Sequence, residues 1–134
     1  MPYCNLGRIK SMKKLTILLF SILISFNSYG EWLPVSKSVS GAITFINIDK
    51  IKENNGYIYH WNLKNYDDGS NESVKAYRQS DCSVNRYKDL VIYFYSSPMG
   101  VGDSSKFTPP DEWTYVIPNT VDDTMMTYIC NYVK

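Results

Sequence analysis

The chain has 134 residues, 44% of them hydrophobic, and a formal net charge of +1. Four of its fourteen lysines and arginines precede Glu31, so the sequence from Glu31 onward has ten basic against thirteen acidic residues and a net charge of about −3. A mildly acidic domain without a basic cluster is a poor partner for nucleic acid, heparin or anionic lipid. We therefore expect no nucleic-acid partner.

The segment from Met12 to Gly30 has the three parts of a secretory signal peptide. Two lysines precede an apolar run, and Ser28 and Gly30 supply the small residues of a cleavage site. We predict that residues 1–30 are an upstream extension followed by a cleaved signal peptide, with the true start at Met12. The apolar run is about a dozen residues, whereas a spanning helix needs about 20. We expect a periplasmic or secreted protein with no membrane anchor after cleavage.

The remainder, residues 31–134, has the size of one domain and begins as a series of strands. Trp32–Val35 predicts a short edge strand, because Pro34 cannot donate a hydrogen bond to a neighbouring strand. The β-branched and aromatic residues of Ala42–Ile48 predict a second strand. Asn54–Gly56 is a turn signal.

The clearest alternation in the chain follows that turn. One face is aromatic and apolar and carries Tyr57, Tyr59, Trp61 and Leu63. The other face is more polar and carries Ile58, His60, Asn62 and Lys64. This period of two residues predicts a half-buried strand. We assign His60 to the more polar face and predict that it is solvated.

The next segments predict two longer strands and one short one. Ser73–Cys82 is a fourth strand, and the continuously apolar Leu90–Tyr95 is a fifth, which we expect to be central and covered on both faces. Ser96–Pro110, with three prolines and two glycines, predicts a long loop. Trp113–Ile117 predicts a last short strand.

A helical period replaces the strand pattern after Pro118. Apolar residues recur at helical spacing at Val121, Met125, Tyr128, Ile129 and Tyr132. Asn119 or Thr120 can cap this helix, and Asp122 and Asp123 suit the positive end of its dipole. The predicted fold is therefore α+β: an antiparallel sheet of about five to six strands with one C-terminal helix.

Two of the three cysteines, Cys82 and Cys130, lie after the predicted cleavage point. Two cysteines in a small exported domain indicate one disulfide. Metal ligation is the alternative, but one histidine and two cysteines cannot complete a tetrahedral site without a carboxylate. The bond would close a loop of about 49 residues, worth roughly 4 kcal/mol of stability in the chain-entropy account, and would tie the helix to the fourth strand.

No catalytic set emerges from the motifs. His60 is the single histidine, so any imidazole base would have to be this residue. Gly100–Lys106 is similar to a phosphate-binding loop, but Phe107–Pro110 follows where that motif requires a helix. We predict no enzyme activity, no cofactor and no metal site.

A series of short motifs follows in one order: Trp32, Phe45–Ile51, Tyr57–Tyr66, Ser73–Cys82, Tyr93–Tyr95 before Gly100–Gly102, Trp113–Pro118 and Cys130. In this order, and with its cysteine pair, the sequence resembles the surface-adhesin protein E family of small bacterial exported proteins. The resemblance implies a curved antiparallel sheet with a helix held by a disulfide, binding of host extracellular-matrix proteins, and a homodimer. Two features depart from a surface adhesin. Glu31 stands where a lipidated cysteine would follow Gly30, and the segment before Cys82 is only lightly basic.

The resulting hypothesis is an exported, non-enzymatic binding domain for extracellular-matrix or other envelope proteins. The alternative is a periplasmic structural or assembly accessory protein of the bacterial envelope. We expect the contact surface at the sheet edge opposite Trp32–Val35 and in the Ser96–Pro110 loop. The predicted contact residues are Lys75, Arg78, Tyr93, Tyr95 and Phe107. Because the net charge is about −3, we expect binding to depend little on salt.

Overall fold

A computed structural model describes residues 31–133 of the chain. The predicted upstream extension and signal peptide lie outside these residues. Within them are eight strands and one helix: β1 (Trp32–Lys37), β2 (Ile43–Asn47), β3 (Lys52–Asn54), β4 (Tyr57–Asn65), β5 (Ser73–Asp81), β6 (Arg86–Ser97), β7 (Val101–Phe107), β8 (Thr114–Tyr115) and α1 (Val121–Tyr132). Among the same residues, no helix has the length and apolar character to span a membrane.

The strands form one antiparallel sheet in the order β1-β2-β4-β5-β6-β7. The short strand β3 pairs with the first part of β4, and β8 pairs with the first part of β6. The predicted α+β architecture with an edge strand at Trp32 is confirmed, although the sheet has more strands than predicted.

The predicted turn at Asn54–Gly56 is a tight hairpin. Asn54 pairs with Tyr57, which leaves Asn55 and Gly56 as a two-residue loop with φ of 52° and 82°. Two successive positive φ values are the requirement of a type I′ turn, and Asn-Gly meets it at the lowest cost.

The predicted loop at Ser96–Pro110 is wrong over most of its length. β6 continues to Ser97, a 3-10 turn at Pro98–Gly100 reverses the chain, and β7 returns along β6 as the edge strand opposite β1. Met99 and Gly100 make the reversal with φ of 61° and 69°. The glycines that we took as loop signals are therefore hairpin residues.

The fifth predicted strand is longer and less buried than expected. β6 runs from Arg86 to Ser97, and none of its residues is fully buried. Phe94 is 43% exposed. The prediction that this strand is covered on both faces is wrong, because the helix packs mainly towards β1 and meets β6 through contacts such as that of Asp122 with Tyr87.

The helix begins at a side-chain cap. Thr120 Oγ1 accepts a hydrogen bond from the Asp123 backbone N–H at 3.2 Å, and the Asp123 carboxylate accepts one from the Asn119 N–H at 2.9 Å. These bonds satisfy two backbone donors near the helix start. They differ from a capping box in that the second donor is the N–H of the residue before the cap. The predicted capping role of Thr120 is confirmed.

The core lies between the helix and one face of the sheet, which we call the helix-facing side. Ile46 and Ile58 from the sheet meet Met125 and Ile129 from the helix, each at most 4% exposed. Tyr132, which we placed on the apolar stripe of the helix, is 51% exposed, and Met126 is buried instead.

His60 lies on the helix-facing side and is fully buried. The prediction of a solvated histidine is wrong, because the helix covers the face that looked more polar in sequence. Within residues 31–133 neither ring nitrogen has a hydrogen-bond partner. Burial, together with the nearby Arg78 guanidinium, lowers the pKa of His60 from 6.5 to about 3. The imidazole is therefore neutral at physiological pH.

The disulfide between Cys82 and Cys130 is present. It joins the residue after β5 to the last part of the helix, with the two Cα atoms 5.9 Å apart and 48 residues apart in sequence. Both cysteines pack against the core cluster of Ile46, Ile58 and the helix.

We expect Cys82→Ser to lower the free energy of unfolding by about 2–5 kcal/mol, because it opens a long loop in the unfolded chain. Urea unfolding followed by circular dichroism measures this. The double variant Cys82→Ser, Cys130→Ser is the matched control and should lose no more than the single variant. Two alkylatable thiols in the folded, non-reduced protein would contradict the bond.

Stability should also depend on His60 through pH. The unfolded chain takes up a proton on His60 below about pH 6.5, whereas the folded chain does so only near pH 3. The free energy of unfolding of the native protein therefore falls as the pH drops through this window, by up to about 1.4 kcal/mol per pH unit from this residue.

His60→Gln removes that contribution. The difference in unfolding free energy between the native protein and this variant should decline between about pH 7 and pH 4. Urea titrations at several pH values measure it, and subtraction cancels the carboxylates, which both proteins share. A difference that stays constant with pH would mean that His60 titrates normally and is not buried.

Candidate binding surface

The side of the sheet opposite the helix carries aromatic rings, five of them packed in one series and two in a separate pair. We call it the aromatic face, and it consists of Tyr57, Tyr59, Trp61, Tyr77, Tyr93, Tyr95 and Trp113. Each ring is half-buried. All but Trp113 alternate along β4, β5 and β6 with the residues of the helix-facing side, so the two-residue period of the strands brings them to one surface. Trp113 precedes β8 and packs against Tyr57.

The rings pack against each other across the strands. Trp61 and Tyr77 are direct cross-strand partners with ring centroids 5.0 Å apart, and Trp61 also lies 6.2 Å from Tyr93. At one end of the group Tyr57 contacts Trp113 at 5.5 Å, and at the other Tyr93 contacts Tyr95 at 6.5 Å. Such pairs stabilise a sheet by about 0.5–1.5 kcal/mol each beyond area burial. The rings remain partly exposed to solvent.

Basic side chains lie over the aromatic face. Arg86 and Lys88 lie 4.3 and 4.4 Å from the Trp113 ring centroid, and each is also paired with an aspartate, at 3.0 and 2.8 Å. Lys75 is different, since among the described residues it has no carboxylate partner. Its Nζ lies 5.3 Å from the Tyr95 ring centroid and 5.5 Å from that of Trp32.

The end of the Lys75 side chain lies against Gly100, in the turn between β6 and β7. A Cβ at Gly100 would meet Lys75 Cε, so the flexible end of the lysine would have to shift. Lys75 lies among rings without a countercharge, an arrangement in which cation–π attraction adds about 0.5–2 kcal/mol.

Three of the five predicted contact residues come together on this surface. Lys75 is the direct cross-strand partner of Tyr93, and its ammonium group lies over Tyr95. Phe107 is 50% exposed but is the partner of Ile92 on the helix-facing side of the edge strand. It belongs to a different surface from the other three.

Arg78 is not available for a partner contact. It is 7% exposed on the helix-facing side, and its guanidinium donates to both Asp89 carboxylate oxygens at 2.7 and 3.1 Å and to Asp122 at 2.7 Å. These carboxylates raise the pKa of Arg78 further above its already high value. The Tyr87 hydroxyl donates to the remaining Asp122 oxygen at 3.2 Å. Arg78 thus joins β5, β6 and the start of the helix, which is a structural role.

Sequence reasoning placed Tyr59 and Trp61 on one strand face but gave them no contact role, and it did not connect Tyr77 or Trp113 with them. The available signal was the residue type. Tyrosine and tryptophan combine an apolar body with a polar tip, which suits a half-exposed face, whereas isoleucine and methionine must be covered. In residues 31–133 we find no cluster of three or more histidine, cysteine or acidic side chains arranged to hold a metal ion.

Solved structures share this fold. Haemophilus influenzae protein E in its crystal form II aligns with a TM-score of 0.58 at 19% sequence identity, over 78% of this chain and 91% of that chain. A second structure of that protein gives 0.56 at 19% identity, over 76% and 86% of the two chains. Protein E from non-typeable Haemophilus influenzae gives 0.51 at 17% identity, over 77% and 78%.

No curated protein sequence matches the chain. The family model described as surface-adhesin protein E matches residues 32–131, which is nearly all of the described domain. The chain therefore belongs to the surface-adhesin protein E family.

Proposed function

We propose that this protein is an exported, non-enzymatic adhesin-like domain that binds extracellular-matrix or other envelope proteins through its aromatic face. Membership of a surface-adhesin family supports the adhesin-like class and export. The observation that carries the choice of surface is the group of half-buried rings around the unpaired Lys75.

The chemistry of this surface suits protein recognition. Tyrosine, tryptophan and arginine are the residues that most often carry binding energy at protein interfaces, and tyrosine orders on binding at low entropic cost. Ring packing already fixes the positions of Trp61, Tyr77 and Tyr93 in the free protein. A partner would therefore meet a surface that loses little conformational freedom.

Lys75 supplies a polar preference among the rings. Because no described carboxylate neutralises it, an acidic side chain of a partner would gain both an ion pair and the neighbouring rings. Arg86 and Lys88 already have aspartate partners and would add less. One such contact gives only a shallow salt dependence.

We expect Tyr93→Ala and Tyr95→Ala each to weaken binding to immobilised extracellular-matrix proteins by about 2 kcal/mol, or roughly 30-fold in Kd. Surface plasmon resonance at low and high salt measures this. Tyr132→Ala is the matched control, because Tyr132 is an exposed tyrosine on the helix and is 51% exposed. Lys75→Gln should weaken binding less than either tyrosine variant and remove most of the small salt effect.

Phe107→Ala separates the two surfaces. It should leave binding unchanged, since Phe107 belongs to the helix-facing side. Loss of binding with Phe107→Ala alone would move the site to the edge strand β7. Binding to isolated envelope proteins but to no matrix protein would favour the assembly-accessory role. Light scattering of the same samples tests the homodimer that the family resemblance implies.

A further inference from the structure

A cleft of about 340 Å³ lies on the helix-facing side of the sheet, where α1 leaves the strands uncovered. It is on the other side of the sheet from the aromatic face and contains none of its residues. Its volume is at the lower end of the ~300–1,000 Å³ range of small-molecule sites. The cleft is therefore large enough for a small ligand and separate from the proposed protein-binding surface.

Most of the cleft wall is apolar. Val74 from β5 and Ile92 and Phe94 from β6 form the sheet side, and Val121 and Met125 form the helix side. Phe94 is 43% exposed, although it lies in the middle of an apolar strand. A hydrocarbon chain in the cleft would remove this surface from water at a gain of about 25 cal/mol per Å².

The polar groups of the cleft offer a donor and a cation. Asn62 lines the cleft at 7% exposure, and its buried Nδ2 has no hydrogen-bond partner in residues 31–133. Lys64 also lines it and, within the same residues, forms no ion pair; its Nζ lies 5.2 Å from the Tyr66 ring centroid. A buried donor without an acceptor costs about 1–3 kcal/mol. An acceptor from a ligand would recover that cost.

The other charges of the cleft form one cluster away from Lys64. Arg78 is paired with two carboxylates, Asp89 and Asp122, so this cluster has a net charge of about −1. It lies four residues along β5 from Val74, the cross-strand partner of Lys64. Lys64 is left as the charge that a ligand would neutralise. An anionic head group with a short apolar tail complements this arrangement.

We propose that the cleft binds a single-chain carboxylate amphiphile, a fatty acid of medium length. Its carboxylate pairs with Lys64 and accepts from Asn62 Nδ2, and its tail lies along Val74, Ile92 and Phe94. The carboxylate supplies the acceptor and the charge in one group, and the tail covers the exposed Phe94 ring. Binding of a fatty acid in the cleft is independent of protein binding at the aromatic face.

Titration of ¹⁵N-labelled protein with decanoate, below the concentration at which it forms micelles, tests the proposal. We expect saturable one-to-one binding, with shifts of the Asn62 side-chain amide and of backbone amides in β5 and β6 near Val74 and Phe94. Lys64→Gln should weaken binding roughly tenfold, as expected for loss of a hydrogen bond to a charged group. Phe94→Ala should weaken it by a similar factor through the tail.

Two controls make the result specific. Lys52→Gln removes an exposed lysine of β3, outside the cleft, and should leave decanoate binding unchanged. Decanol, which has the same tail without the charge, should bind at least tenfold more weakly than decanoate. The spectra also report whether each variant is folded.

Four outcomes would overturn the proposal. No saturable shift in the cleft means that it is not a site for this class of ligand. Equal binding of decanol and decanoate, or no effect of Lys64→Gln, means that the head group is wrongly assigned. Shifts confined to the aromatic face would place the fatty acid elsewhere.

Discussion

A single twelve-residue helix has to cover one face of a sheet that is six strands wide. A helix of that length spans about 18 Å, whereas six strands span about 24 Å from the first to the last. Because the helix packs near β1, part of the same face at Phe94 stays open. On the opposite face the Pro98–Gly100 turn contacts β4 and β5, while the aromatic rings stay partly exposed. The half-exposed rings, the exposed Phe94 and the cleft all follow from this shortage of covering structure.

The helix is fixed at both ends to the same strand region. Near its C-terminal end the Cys82–Cys130 disulfide joins it to the residue after β5, and at its start the ion pair of Asp122 with Arg78 joins it to the middle of β5. An ion pair as buried as that of Arg78 costs much of its Coulombic gain in desolvation, so its main effect is to fix position. A helix held this way does not slide to cover the cleft.

The aromatic face shows how a sheet can remain stable with one side open. Its rings bury part of their surface against each other, as Trp61 does against Tyr77 and Tyr93, so no helix is needed on that side. The same packing keeps the rings ordered with their outer surfaces in water. An ordered surface of partly exposed rings is what the proposed protein binding would need, and the packing of the sheet supplies it.

The sequence by itself determined the local features of this protein. The Asn55-Gly56 hairpin, the Thr120 cap, the helix after Pro118 and the pairing of Cys82 with Cys130 each depend on residues close in sequence or on a count of two cysteines. The surface-adhesin protein E family was also recognisable from the order of motifs. These features depend on local backbone geometry and on composition, so they can be predicted without knowing which distant residues are in contact.

Only the tertiary structure decided which side of each strand is buried. A period of two residues sorts Tyr59 and His60 onto opposite faces, but it does not state which face receives the helix. The helix took the side of Ile58 and Ile46, so His60, Asn62 and Arg78 were buried and the aromatic residues were left half-exposed. The polarity of these side chains did not indicate their burial, because Arg78 meets Asp89 and Asp122 only where β5, β6 and the helix come together.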